Sequence, residues 1–102
     1  MFHRRLTLCL SLSAALLAPL AEAGTIEKAC RSSARGAAQA ALCHCLDQVA
    51  AQSLSRAEQR AVSKWFADPH GAEVVRQSAN SRDAQLWKKY QSFGSEAERV
   101  CG

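Results

Sequence analysis

The sequence lacks the features of several specialised protein classes. It contains no internal repeat, no low-complexity tract and no linker rich in glycine, proline or serine, which argues against a repeat array or a multidomain chain. No segment alternates strictly between apolar and polar residues, so no β-strand is predicted. We therefore expect one domain of the all-α class.

Charge of one sign is not concentrated in any part of the chain. The formal net charge is +4, but basic and acidic residues alternate, and no basic run is longer than two residues. A nucleic-acid interface requires a dense basic patch. We expect no nucleic-acid partner and only a weak preference for anionic surfaces.

The chain also lacks a recognisable catalytic set. It has no cofactor-binding fingerprint, and His44 and His70 are the only histidines after residue 23. Several serines and carboxylates stand where helices are expected to begin, so we interpret them as caps. These residues are Ser55, Glu58, Asp68, Ser81, Asp83 and Ser95. We therefore expect no cofactor and no enzymatic activity.

The first 23 residues have the pattern of a secretory signal peptide. Arg4 and Arg5 precede an apolar block at residues 6–21, and Ala21-Glu22-Ala23 forms a cleavage site of small residues. The uninterrupted apolar part is shorter than the roughly 20 residues that a membrane span needs. Cys9 lies too early in the block for lipid attachment. We predict an exported protein, periplasmic or secreted, without a stable membrane anchor after cleavage.

Cleavage would leave a single domain at residues 24–102, with a net charge of +3 and four cysteines. These are Cys30, Cys43, Cys45 and Cys101. Four cysteines in a short exported chain predict two disulfides, which allow three connectivities. A domain of this size buries little apolar surface, so covalent cross-links are physically expected.

The sharpest motif is Cys43-His44-Cys45. On a helix, successive side chains point about 100° apart, so the two thiols should reach different parts of the chain. Leu42, Cys45, Leu46 and Val49 share one apolar face that Ala38 extends, and Asp47 should face solvent. Two alternatives stay open: a copper or zinc carrier with Cys43, His44 and Cys45 as ligands, and a thiol–disulfide oxidoreductase.

The pairing of the cysteines is suggested by a turn near Gly36. Cys30 lies six residues before this glycine and Cys43 seven after it, which suits antiparallel neighbours. We therefore favour Cys30–Cys43 with Cys45–Cys101. The pairing of Cys30 with Cys45 and of Cys43 with Cys101 is the alternative.

Apolar periodicity and capping signals predict five or six short helices. Two capping boxes are expected, Ser55 with Glu58 and Ser95 with Glu98. Helix stops are expected at Asp68-Pro69, with Asp68 capping the next helix, and at Gly94. Asn80 or Ser81 is expected to cap the helix that begins at residue 82. The predicted helices span residues 25–33, 37–53, 56–67, 72–79, 82–93 and 96–101.

The large aromatic residues lie on the apolar faces of two of these helices and should form the core. The indole N–H groups of Trp65 and Trp87 and the hydroxyl of Tyr90 need polar partners. These three residues should therefore lie at the edge of the core, where a binding surface could form. We predict a non-enzymatic binding module of the cell envelope, whose protein partner the sequence does not identify.

Overall fold

A computed structural model describes residues 24–102, which form five α-helices and no strand. The prediction of a small all-α domain with two disulfides is confirmed. The proposed signal peptide lies outside the described residues. None of the helices in the described part has the length and apolarity needed to cross a membrane. The helices are α1 (Thr25–Ser32), α2 (Ala40–Ser53), α3 (Arg56–Ala67), α4 (His70–Gln77) and α5 (Ser81–Cys101).

The contacts between the helices close into a ring. Helix α1 packs against α2 and α3, α2 packs against α5, and α4 joins α5 to α3. The side chains inside the ring form one core, to which α4 contributes no buried residue. Such short helices are marginal alone, so burial of these side chains supplies most of their stability. The core residues are Ile26, Val49, Ala50, Leu54, Val62, Phe93 and Ala97.

Two of the predicted helix caps are present. The Ser55 hydroxyl accepts from the Glu58 N–H at 3.1 Å, and the Glu58 carboxylate accepts from the Ser55 N–H at 2.7 Å. This is the predicted capping box. The Asn80 side chain accepts from the Arg82 N–H at 2.8 Å and begins α5.

The turn between α1 and α2 depends on Gly36. A Cβ atom on this buried residue would lie 1.9 Å from the carbonyl oxygen of Cys30, so only glycine fits. The Ser33 hydroxyl donates to the same carbonyl at 2.6 Å and accepts from the Gly36 N–H at 3.1 Å. These contacts extend the turn, and α2 begins at Ala40 rather than at the predicted residue 37.

The buried side of α2 differs from the predicted apolar face. Cys43 is fully buried, Leu42 is 36% exposed, and Ala38 precedes the helix and is exposed. The reason is that Cys43 and Asp47, four residues apart, both contact α1. Docking of α1 therefore covers the Cys43 side of α2 and leaves Leu42 at an opening.

The predicted stop at Gly94 is wrong, because α5 continues through it to Cys101. Glycine in a helix interior costs about 1 kcal/mol relative to alanine. Phe93 and Ala97, one turn apart, are both buried, and Cys101 is bonded to Cys45. This tertiary packing outweighs the cost, so Ser95 lies inside the helix and forms no capping box.

Helix α4 begins two residues earlier than predicted, at His70. Pro69 precedes it with helical dihedral angles, and the N-cap position is Pro69, not Asp68. The backbone carbonyl of Asp68 accepts from the Gly71 N–H at 3.1 Å. Proline suits this position because the first N–H groups of a helix have no partner within the helix.

Candidate binding site

The three side chains of the Cys43-His44-Cys45 motif point to different partners. Cys43 is bonded to Cys30 of α1, with a Cα–Cα distance of 5.5 Å, and Cys45 to Cys101 of α5, with 5.9 Å. These are the two pairs that the turn at Gly36 favoured. Within residues 24–102, no group of three histidine, cysteine or carboxylate side chains is arranged to hold a metal ion.

His44 contacts a buried carboxylate that sequence reasoning missed. Glu27 is only 5% exposed, and its Oε1 lies 3.0 Å from Arg31 Nη2 and 3.3 Å from His44 Nδ1. A buried carboxylate needs such partners. In neutral His44, Nδ1–H donates to Glu27 while Nε2 accepts from the Gln48 amide at 3.1 Å. The four-residue spacing of Glu27 and Arg31 indicates an ion pair within α1. The burial of Glu27 is not visible in the sequence, because it results from the packing of α1 on α2 beside the Cys30–Cys43 disulfide.

Asp47, predicted to face solvent, caps the first turn of α1. Its Oδ1 accepts from the backbone N–H of Glu27 at 3.1 Å. A Cβ atom on Gly24 would lie 2.3 Å from the same oxygen, so the chain reaches Asp47 closely only because residue 24 is glycine. A carboxylate at a helix N-terminus stabilises the helix. The cap comes from another helix, so local sequence gives no signal for it.

The three residues predicted as a binding surface are brought together where α3 faces α5. The Trp65 and Tyr90 rings meet edge to face with centroids 4.9 Å apart, and those of Trp87 and Tyr90 lie 5.5 Å apart at 42°. All three side chains are partly buried. We call Trp65, Trp87 and Tyr90 the aromatic cluster. The edge-to-face contact of Trp65 with Tyr90 is one of the arrangements that aromatic rings prefer.

An apolar groove adjoins the aromatic cluster at Trp65. It has a volume of about 850 Å³ and runs between α2 and α3, with Leu42, Leu46, Trp65 and Phe66 along it and the loop after α1 at one end. An inner cleft of about 240 Å³ shares Leu46, Trp65 and Phe66 with the groove and extends toward Phe93 of α5. The groove and the cleft therefore lie side by side and share these three side chains.

Charge is scarce around the groove and the cleft. Arg35, in the loop between α1 and α2, is the only charged residue that lines the groove, and no charged residue lines the cleft. The resolved pKa shifts belong to exposed ion pairs elsewhere. A hydrogen bond from Arg99 lowers the pKa of Glu96, and Glu73 raises the pKa of Arg76. The groove and the cleft therefore present mainly apolar side chains and a single guanidinium group.

Comparisons with known proteins add no information on function. Neither family models, curated proteins nor solved structures gave a match to this chain. The functional argument therefore depends on the aromatic cluster, the groove and the disulfides.

Proposed function

We propose that this chain is a small exported binding module of the cell envelope that acts without catalysis and binds a protein partner through the aromatic cluster. The observation that carries the proposal is the aromatic cluster itself. Three large aromatic side chains from two helices pack against one another, yet remain partly exposed. The indole N–H and phenol O–H groups favour a position at the edge of the core, where the rings can contact a partner.

The chemistry of the cluster suits a protein surface. Tryptophan and tyrosine are the residues that most often dominate the energy of protein interfaces. Rings already held by one another lose little conformational freedom on binding, so more of the contact energy becomes affinity.

Export is supported by the two disulfides. Such bonds persist in oxidising compartments and are rare in the cytosol. Fractionation of cells that express the full chain tests this part of the proposal. We expect the periplasm or medium to contain a chain that begins at Gly24, with a mass four protons below that of the reduced form. Full-length protein with free thiols in the cytosol would contradict export.

The disulfides also bear on the two alternative functions. A metal carrier needs the Cys43 and Cys45 thiolates free, whereas both sulfurs are bonded to other helices. A thiol oxidoreductase needs one disulfide that is reduced far more readily than the other and turns over a dithiol substrate. A thiol assay on denatured protein, with turnover measured on a dithiol, separates both from the binding module.

The partner is sought by capture on the immobilised, oxidised domain. We expect a protein from envelope extract to be recovered on the wild-type domain and at least tenfold less of it on Trp87→Ala. A central aromatic side chain typically contributes about 2 kcal/mol or more to binding, which corresponds to more than a tenfold change in affinity. The matched control is Val74→Ala, which truncates an exposed apolar residue on α4. Equal recovery on Trp87→Ala and wild type, with both domains folded by circular dichroism, would refute the role of the cluster.

A further inference from the structure

The groove beside the aromatic cluster is amphipathic along its length. The polar part of its lining comes from the loop between α1 and α2 and the residues beside it, and includes Ser32, Arg35 and Gln39. The part formed by α2 and α3 is apolar, with two leucines and two aromatic side chains. Leu42 is 36% exposed at this opening, although it is one of the larger apolar residues of α2. Apolar surface left in water is a source of binding energy for a ligand that covers it.

We propose that this groove binds a single-chain anionic amphiphile of the fatty-acid type, taken up as a soluble monomer. The anionic head lies at Arg35, and the tail runs along Leu42, Leu46 and Phe66 toward the inner cleft. The groove shares Trp65 with the aromatic cluster, and the inner cleft also contains Tyr90. The binding of an amphiphile in the groove does not depend on the protein partner proposed for the cluster.

The charge of the lining selects the head group. Thirteen residues line the groove, and Arg35 is the only one of them that carries a charge. A guanidinium group pairs with carboxylate oxygens in a fixed, two-pronged geometry. The Ser32 hydroxyl is exposed beside it, and the Gln39 amide donates to the Arg35 carbonyl at 3.4 Å. The groove can therefore neutralise one anionic head group. A cationic head group would be repelled by Arg35, because no acidic residue lines the groove.

The size and shape of the opening select the tail. A volume of about 850 Å³ lies within the roughly 300–1,000 Å³ of small-molecule sites. The inner cleft continues the apolar path past Leu46 and Phe66, with no charged residue in its lining. A hydrocarbon tail itself carries no group that needs a hydrogen-bond partner along this path.

An extended peptide fits the same lining less well. Each peptide unit carries an N–H and a C=O group that must find partners when water is displaced. The leucine, phenylalanine and proline side chains along the groove offer no such partners. The apolar walls therefore favour a tail without hydrogen-bonding groups over a peptide backbone.

Trp65 provides the reporter for a direct test. The chain has two tryptophans, so Trp87→Phe leaves Trp65 as the only fluorescent indole, in the wall of the groove. The probe is dodecanoate brominated at its terminal carbon, below its micelle concentration, added to the oxidised domain. We expect saturable quenching of Trp65. Octanoate should compete at least tenfold more weakly than dodecanoate, since each fully buried methylene is worth up to about fourfold in affinity, or about 0.8 kcal/mol.

The role of Arg35 is tested by changing the charge of the ligand head group and the charge of residue 35. Dodecyltrimethylammonium should bind at least tenfold more weakly than dodecanoate, and Arg35→Glu should weaken dodecanoate binding at least tenfold. Arg35→Gln should weaken it less, because the repulsion is absent. The matched control is Arg56→Glu, which changes the net charge equally and lies at the far end of α3, about 14 Å along the helix from Trp65. Leu42→Asn should weaken every amphiphile alike, which separates loss of apolar contact from loss of charge.

Several results would overturn the proposal. They are unsaturable quenching, equal affinity for the anionic and cationic amphiphiles, and the same loss of dodecanoate binding in Arg56→Glu as in Arg35→Glu. If an amidated leucine-rich peptide with one glutamate binds more tightly than dodecanoate, the groove is a site for a polypeptide. Co-sedimentation with anionic vesicles without quenching by the monomer would assign it to a lipid surface.

Discussion

The two disulfides hold their helices in different ways. Cys30–Cys43 joins α1 to α2 across 13 residues, both sulfurs are buried, and the Asp47 cap and the Glu27–His44 contact lie beside it. Cys45–Cys101 joins α2 to α5 across 56 residues, and both cysteines are only partly buried. Among residues 24–102, no side-chain hydrogen bond or ion pair links α2 to α5.

This difference follows from the lengths of the helices. Helix α1 has eight residues, too few to be stable alone, so it needs many contacts with its neighbours. Helix α5 has 21 residues and buries Phe93 and Ala97 along its length. It needs an anchor for its end rather than support along its whole length. The α1–α2 contact is therefore redundant, whereas the α2–α5 contact depends on one covalent bond and apolar packing.

Removal of Cys45–Cys101 should have the largest effect on stability. Cys45→Ala with Cys101→Ala releases the end of α5 and opens the longer loop, for which chain entropy gives a loss of about 4 kcal/mol in the free energy of unfolding. Urea unfolding, followed by circular dichroism on both proteins, measures the loss. An unfolding free energy within about 1 kcal/mol of wild type would show that apolar packing alone holds α5.

Removal of Cys30–Cys43 should cost less and should leave α1 in place. The shorter loop gives a loss of about 3 kcal/mol for Cys30→Ala with Cys43→Ala. Because the Asp47 and Glu27 contacts remain, the amides of α1 should keep protection from hydrogen exchange under native conditions. Exchange of these amides at the rate of an unfolded peptide would show that the contact is not redundant.

The sequence predicts those features of the two disulfide contacts and of the helices that depend on residues close together in the chain. A glycine midway between Cys30 and Cys43 predicts their pairing because it sets the chain reversal. The Ser55–Glu58 box is likewise complete within four residues. Trp65, Trp87 and Tyr90 are predicted to lie at the edge of the core because they combine apolar rings with polar atoms, and all three side chains are partly buried.

The remaining features arise from contacts between helices. Asp47 and Glu27 are 20 residues apart, and no periodicity relates a carboxylate on one helix to the first turn of another. Gly94 carries a local stop signal that packing of Phe93 and Ala97 overrides. The groove could not be predicted, because it exists only where α1 docks on one side of α2 and leaves Leu42 uncovered.

The Asp47 cap should contribute about 1 kcal/mol to the α1–α2 contact, the usual cost of replacing a helix cap by alanine. Asp47→Ala should lower the free energy of unfolding by this amount. Asp47→Asn keeps a side-chain acceptor for the Glu27 N–H and should recover most of the loss. The matched control is Gln52→Ala, at an exposed position on the same helix. Equal losses of stability in Asp47→Ala and Gln52→Ala would show that the cap does not account for the effect.

Substitution at Gly94 should strengthen α5 and reduce its dependence on Cys101. A Cβ atom there would meet no atom within 4 Å, so Gly94→Ala should raise the free energy of unfolding by about 0.5–1 kcal/mol. Gly71→Ala is the contrasting variant, because its Cβ would lie 2.8 Å from Trp65 Cδ1. Urea midpoints should move in opposite directions, and a loss of stability in Gly94→Ala would mean that α5 needs flexibility at this point.

The smallest effect should come from Glu96 and Arg99, an exposed ion pair within α5 that does not link α5 to α2. The hydrogen bond from Arg99 lowers the pKa of Glu96 below its ordinary value of 4.5. A lowered pKa in the folded state adds stability above the unfolded pKa, and this contribution is lost as the pH falls through the folded pKa. Glu96→Gln should therefore be slightly less stable than wild type at pH 7, by less than Asp47→Ala, because exposed pairs contribute little. The difference in stability should vanish in acid below both pKa values. The control is Glu98→Gln, on the same helix, because Glu98 forms no ion pair among the described residues. We expect Glu98→Gln to have the stability of wild type at both pH values. A difference that persists unchanged in acid would mean that Glu96 acts through packing rather than through its charge.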